Sequence, residues 1–140
     1  MKVFENQKRI PASSKEIFKA FENQELLEKW WGPEGFSTIS STFDFKPNGV
    51  WKFVMRGPDG KDYPNEMVFL EIMAPSKIVM RHTVEPYFTL TVTIENYDGG
   101  ATINWHQDFD SEELAKNIAY IVKPANVQIL DKLQSIVVSG

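Results

Sequence analysis

The sequence contains no cysteine. That excludes disulfides, thiolate metal sites and thiol nucleophiles, and it fits a reducing compartment. Histidine is scarce: His82 and His106 are the only two. The stretch HTVE, His82 to Glu85, offers at most two metal ligands, and catalytic zinc usually takes about three from the protein. No metal or other cofactor is therefore expected. Long apolar runs are missing as well. The N-terminus MKVFENQKRI has no signal core, and nothing approaches the roughly 20 residues of a membrane span. An excess of positive charge is missing too. The formal net charge is -4, which argues against a phosphate backbone as main partner. There is no glycine-rich phosphate loop and no serine in a nucleophile-elbow context; GPDG at Gly57–Gly60 is a turn. The expectation is a cytoplasmic protein with no membrane and no nucleic acid among its partners.

What is present is an ordinary globular composition, 42% hydrophobic and 24% charged over 140 residues. That length suits one domain, residues 1–140, around one core. Val3 to Ile10 reads as a first strand, stopped by Pro11. SSKE then offers a capping box between Ser13 and Glu16. Ile17, Phe18 and Phe21 follow at helical spacing, predicting a short helix over Ser14–Glu22. Asn23 is a second N-cap, and Leu26, Leu27, Trp30 and Trp31 make two adjacent i, i+4 pairs. Gly32 and Pro33 end that second short helix.

From Ser37 to Phe109 the pattern changes to period two. Turn signals stand at Pro47-Asn48-Gly49, Pro58-Asp59-Gly60, Ala74–Lys77 and Asp98-Gly99-Gly100. They separate six strands: Ser37–Phe45, Val50–Arg56, Asp62–Met73, Ile78–Thr83, Tyr87–Glu95 and Ala101–Phe109. Tight turns between consecutive strands make an antiparallel meander. Asp110 and Glu113 form a further capping pair. Beyond them Leu114, Ile118, Ile121, Val127, Leu130, Leu133 and Val137 make one helical stripe, interrupted by Pro124. Lys123 precedes the proline and is biased away from helix, which favours a new helix with Pro124 in its first turn over a kink.

Alternation also sorts the faces. Lys52 and Arg81 prefer water, so Trp51, Phe53 and Met55, and likewise Met80 and His82, point inward. Phe88 and Leu90 join them, as do Trp105 and Gln107. On the long strand, Val68, Leu70 and Ile72 are assigned inward, although Met67 and Phe69 alternate equally well. If those two faced out, they would form an apolar patch and make a homodimer a candidate. Of the Trp pair, Trp30 is expected deeper and Trp31 at the rim of a cavity. A six- or seven-stranded antiparallel sheet must cover its apolar face, and the terminal helix is the long element available. A twisted sheet cannot touch one helix along its whole length, so a concave gap remains beside the short helices.

The segments IPASSKEIFKAF, LEKWWGPEGF, KPNGVWKFVMRGPDGKDYP and LDKL resemble the family of proteins similar to the activator of heat shock protein 90 ATPase. That family lies in the START and polyketide-cyclase superfamily, and the resemblance spans essentially the whole chain. It implies an α+β helix-grip fold like that of the birch pollen allergen: a curved antiparallel sheet of six to seven strands around a long C-terminal helix, with two short helices after the first strand. It also implies a deep cavity between sheet and helix. Members often carry a Gly-Trp pair shortly before the Leu-Asp-Lys-Leu motif; here those positions are Ala125 and Asn126. The expected function is binding of a small apolar or aromatic ligand, as carrier or sensor. The residues expected around it are Trp30, Trp31, Trp51, Phe53, Met55 and Met80, with His82, Phe88, Leu90, Trp105 and Gln107. Two alternatives stand beside it. One is a cyclase or lyase with His82 as acid or base, which nothing in the sequence demands. The other is a co-chaperone-like module that binds an ATPase partner without a second domain to add affinity.

Overall fold

The computed structural model describes residues 2–139. The chain forms β1 (Val3–Ile10), α1 (Ser14–Glu22), α2 (Gln24–Trp30), β2 (Ser37–Phe43), β3 (Val50–Arg56), β4 (Asp62–Met73), β5 (Lys77–His82), β6 (Phe88–Tyr97), β7 (Gly100–Phe109) and α3 (Glu112–Ser139). All strand pairs are antiparallel, in the order β1-β7-β6-β5-β4-β3-β2. The meander from β2 to β7 follows from its short turns. β1 returns to pair with β7 along its full length, from Val3↔Asp108 to Ile10↔Ala101. This is the expected α+β grip of an open sheet on a terminal helix, with α1 and α2 beside it.

Local chemistry accounts for the short helices. Ser13 and Glu16 form the capping box, and the Asn23 side chain caps α2 by accepting from Leu26 N at 3.1 Å. α2 stops at Trp30, with Trp31 already extended at φ -74 and ψ 125. Gly32 follows at φ +107, where a Cβ would also lie 3.2 Å from Met55 Cε.

Three expectations are corrected. α3 is continuous through Pro124. Pro124 and Tyr120, four residues earlier, both sit on the exposed face, so the carbonyl that loses its helical partner is on the side of water. Val127, placed in the buried stripe by the sequence, is 50% exposed. The cap of α3 is Ser111, whose Oγ accepts from Leu114 N at 3.1 Å. Asp110 instead makes a two-pronged pair with Arg81, at 2.7 and 2.6 Å.

β4 resolves its own ambiguity. Met67 and Phe69 are buried, at 2% and 1% exposure, whereas Leu70 is 47% exposed. A register shift lies between Phe69 and Glu71, so Phe69 pairs with Met80 and Ile72 pairs with Ile78. Leu70 is the extra residue of a β-bulge. The bulge lets Met67, Phe69 and Ile72 all contribute to the core although they differ in parity. The apolar patch that made a homodimer a candidate is therefore absent.

Candidate functional site: a hollow under the terminal helix

Between the inner sheet face and residues 118–129 of α3 lies a hollow of about 270 Å³. β3 supplies Phe53 and Met55, β5 His82, β6 Phe88 and Leu90, and β7 Trp105 and Gln107. α3 closes it with Ile118, Val122, Ala125, Asn126 and Ile129, and Ile121 marks the rim at 53% exposure. Pro33, Phe36 and Pro86 come from two loops at the same end.

The Trp-Trp-Gly-Pro segment forms one corner. Trp30 is fully buried, and its indole donates to Ala20 O at 3.0 Å. Trp31 packs edge to face against Trp30 at 5.5 Å and lines the hollow, 5.0 Å from Trp51 and 5.6 Å from Trp105 between ring centroids. The loop after it is tied down on both sides. Thr38 Oγ1 donates to Trp31 O at 2.7 Å, Lys132 Nζ to Gly32 O at 3.1 Å, and Glu34 N to Gln128 Oε1 at 3.1 Å. α3 thus positions the loop that borders the hollow.

Of the residues singled out in the sequence, Trp31, Phe53, Met55, His82, Phe88, Leu90, Trp105 and Gln107 come together on its walls. Trp30, Trp51 and Met80 do not. Trp51 backs Phe53, stacked at 3.9 Å, and donates to Ser40 Oγ at 2.9 Å. Met80 is packed in the core at 1% exposure. On the helix side the stripe read from the sequence holds Ile118 and Ile121 but passes over Val122, Asn126 and Ile129. Ile118 and Val122 extended by one more helical step fall on Asn126, a buried polar residue in an apolar seam. That polar residue at an inward position was the available signal.

No Asp, Glu, Lys or Arg lines the hollow. Among the described residues no group of three or more His, Cys, Asp or Glu could hold a metal ion. His82 is 3% exposed and stacks on Phe88 at 4.6 Å. Its Nδ1 is 2.7 Å from Pro86 O and its Nε2 2.7 Å from Asn65 Oδ1. Burial pushes the imidazole below its ordinary value, against the raising effect of the Pro86 carbonyl. The lowered value favours the neutral ring near pH 7, and a neutral ring carries one N–H, so it donates to only one of these two carbonyl oxygens. Opposite, Asn126 Nδ2 donates to Gln107 Oε1 at 3.0 Å, joining α3 to β7. Trp105 Nε1 is the one fully enclosed side-chain nitrogen or oxygen without a partner among the described residues.

The chain matches the family model described as Activator of Hsp90 ATPase homolog 1-like protein over residues 11–138. Among solved structures it is similar to a protein from Nitrosomonas europaea, with 16% identity, 98% of this chain and 94% of that chain covered, and a TM-score of 0.89. A protein from Arthrobacter aurescens has 21% identity, coverage of 99% and 87%, and a TM-score of 0.90. An AHSA1-like protein from Aeromonas hydrophila has 18% identity, coverage of 98% and 92%, and a TM-score of 0.78. At these identities the likeness carries the fold. None of the curated proteins matches. Among the described residues no helix is long and apolar enough to cross a membrane.

Proposed function

The chain belongs to the Activator of Hsp90 ATPase homolog 1-like family, and on that footing we propose that its 140 residues act as one cytoplasmic domain that takes a small, uncharged apolar or aromatic molecule into the hollow, as a carrier or sensor. One observation carries this reading: the space under α3 is walled by aromatic, aliphatic and Met side chains with a few convergent polar groups and no charge. Such a composition is that of small-molecule sites. Its volume of about 270 Å³ lies near the lower end of such pockets, at about 300 Å³, which suits a ligand of one or two rings. The alternative of acid–base catalysis by His82 has less support. Both ring nitrogens face protein groups, and no carboxylate or amine stands on the walls to exchange a proton with it.

The test is a titration with 1-aminoanthracene, a neutral fluorescent probe. Saturable uptake is expected with one site per chain. Ala125→Phe places a ring in the hollow from the helix side and should abolish uptake while thermal unfolding stays cooperative. A folded Ala125→Phe protein that binds the probe like the parent would move the site elsewhere. Native mass spectrometry of freshly purified protein would show any co-purifying molecule.

A further inference from the structure

The Gln107–Asn126 pair sets this hollow apart from a plain greasy cavity. Gln107 is 8% exposed and Asn126 4%, one on the sheet and one on α3, and a single hydrogen bond of 3.0 Å joins them. A primary amide has an NH₂ that donates twice and an oxygen that accepts. One contact between two amides leaves one NH₂ and one C=O unused. Here these are Gln107 Nε2 and Asn126 Oδ1, which have no partner among the described residues. Turning both amides over exchanges the owners of the free groups and not their kinds. The pair therefore shows the hollow one donor beside one acceptor under either assignment. Both residues line the hollow, and neither free group is walled in, unlike Trp105 Nε1.

The surroundings narrow the chemistry further. A charged head group would sit without a counter-charge among uncharged walls, at high desolvation cost. A pure hydrocarbon would cover the two amides and leave their free groups unpaired. An undissociated carboxylic acid has the right donor–acceptor edge but ionises well below pH 7. A carboxamide or lactam keeps that edge and stays neutral. We infer that the Gln107–Asn126 pair selects ligands carrying an uncharged amide-type edge, a carboxamide or lactam, on an aromatic body. This rests on the hollow being a ligand site.

Calorimetric titration with three matched two-ring probes tests it: naphthalene, 2-naphthamide and 2-naphthoate at pH 7.5. The wild-type protein should bind 2-naphthamide about tenfold tighter than naphthalene, the worth of one or two net hydrogen bonds. It should bind 2-naphthoate more weakly than either. In the double variant Gln107→Met/Asn126→Leu, which removes both polar partners at similar volume, the amide should lose that advantage while naphthalene binds no worse. Equal affinity of the wild type for naphthalene and 2-naphthamide overturns the inference and leaves the hollow as a site; this comparison needs no variant. An amide preference that survives in the folded double variant overturns it too. Failure of both neutral probes to bind the wild type overturns the ligand-site reading together with this one.

Discussion

The two halves of α3 lie against the same sheet with different company. In the C-terminal half Leu130 and Leu133 are 3% and 0% exposed, and the helix packs on α1 and α2. In the N-terminal half Ile118 and Val122 are half-buried and Ile121 is half-exposed. Apolar residues supply both halves, so hydrophobicity does not set them apart. The difference is what fills the gap: α1, α2 and Trp30 occupy one end, and no element occupies the other. A binding hollow in such a fold is the space left where the short helices stop.

Substitutions at the two ends should separate them. Trp30→Ala should be the most damaging, at about 3–5 kcal/mol in urea unfolding, because it empties a fully buried site and orphans the Ala20 carbonyl. Leu133→Ala, at the same packed end, should cost about 2–5 kcal/mol. Val122→Ala, on the hollow wall, should cost about 1 kcal/mol or less, since one side of its methyl groups already lacks neighbours. Equal costs for Leu133→Ala and Val122→Ala would erase the contrast between the halves.

A pH series addresses the open end separately. The folded state holds the His82 imidazole below its unfolded value of 6.5, so the unfolded chain binds more protons there. That contribution is complete above pH 6.5 and is lost as pH falls through the folded value. Melting temperature should therefore drop between pH 7.5 and 5, and His82→Gln should flatten the drop. Asp62 and Asp110, held down by hydrogen bonds from Arg56 and Arg81, respond only below their ordinary 3.8, outside this window. An unchanged pH profile in His82→Gln would mean that the ring is not the group responsible. The smallest effect should come from Ile121→Ser at the rim, within about 0.5 kcal/mol by thermal melting.

Much of the fold was legible because its signals are local. The Ser13–Glu16 box, the Asn23 cap and the four turn sequences each act within a few residues. The inward sets of β3, β5, β6 and β7 followed from one charged residue or one clean alternation per strand. What stayed hidden depends on distant partners. Pro124 costs a helix roughly 3 kcal/mol taken alone. Val122, Asn126 and Ile129 pack on either side of it and hold the helix together. Asp110 reads as a cap until Arg81, 29 positions away, claims it. Asn126 looked like a missing aromatic because its role exists only opposite Gln107. Trp51 and Met80 satisfied the inward pattern, but alternation distinguishes faces of a sheet and not depth within a face.

The bulge in β4 has a consequence for sequence length. Because Leu70 is supernumerary, Met80 and Val79 oppose Phe69 and Glu71 as though it were not there. Its removal would straighten the strand without turning any side chain over. Loss of one residue between Met67 and Phe69 would shift the remainder out of phase. Indels among relatives should therefore gather at position 70, so that a gap column there marks conserved geometry on both flanks.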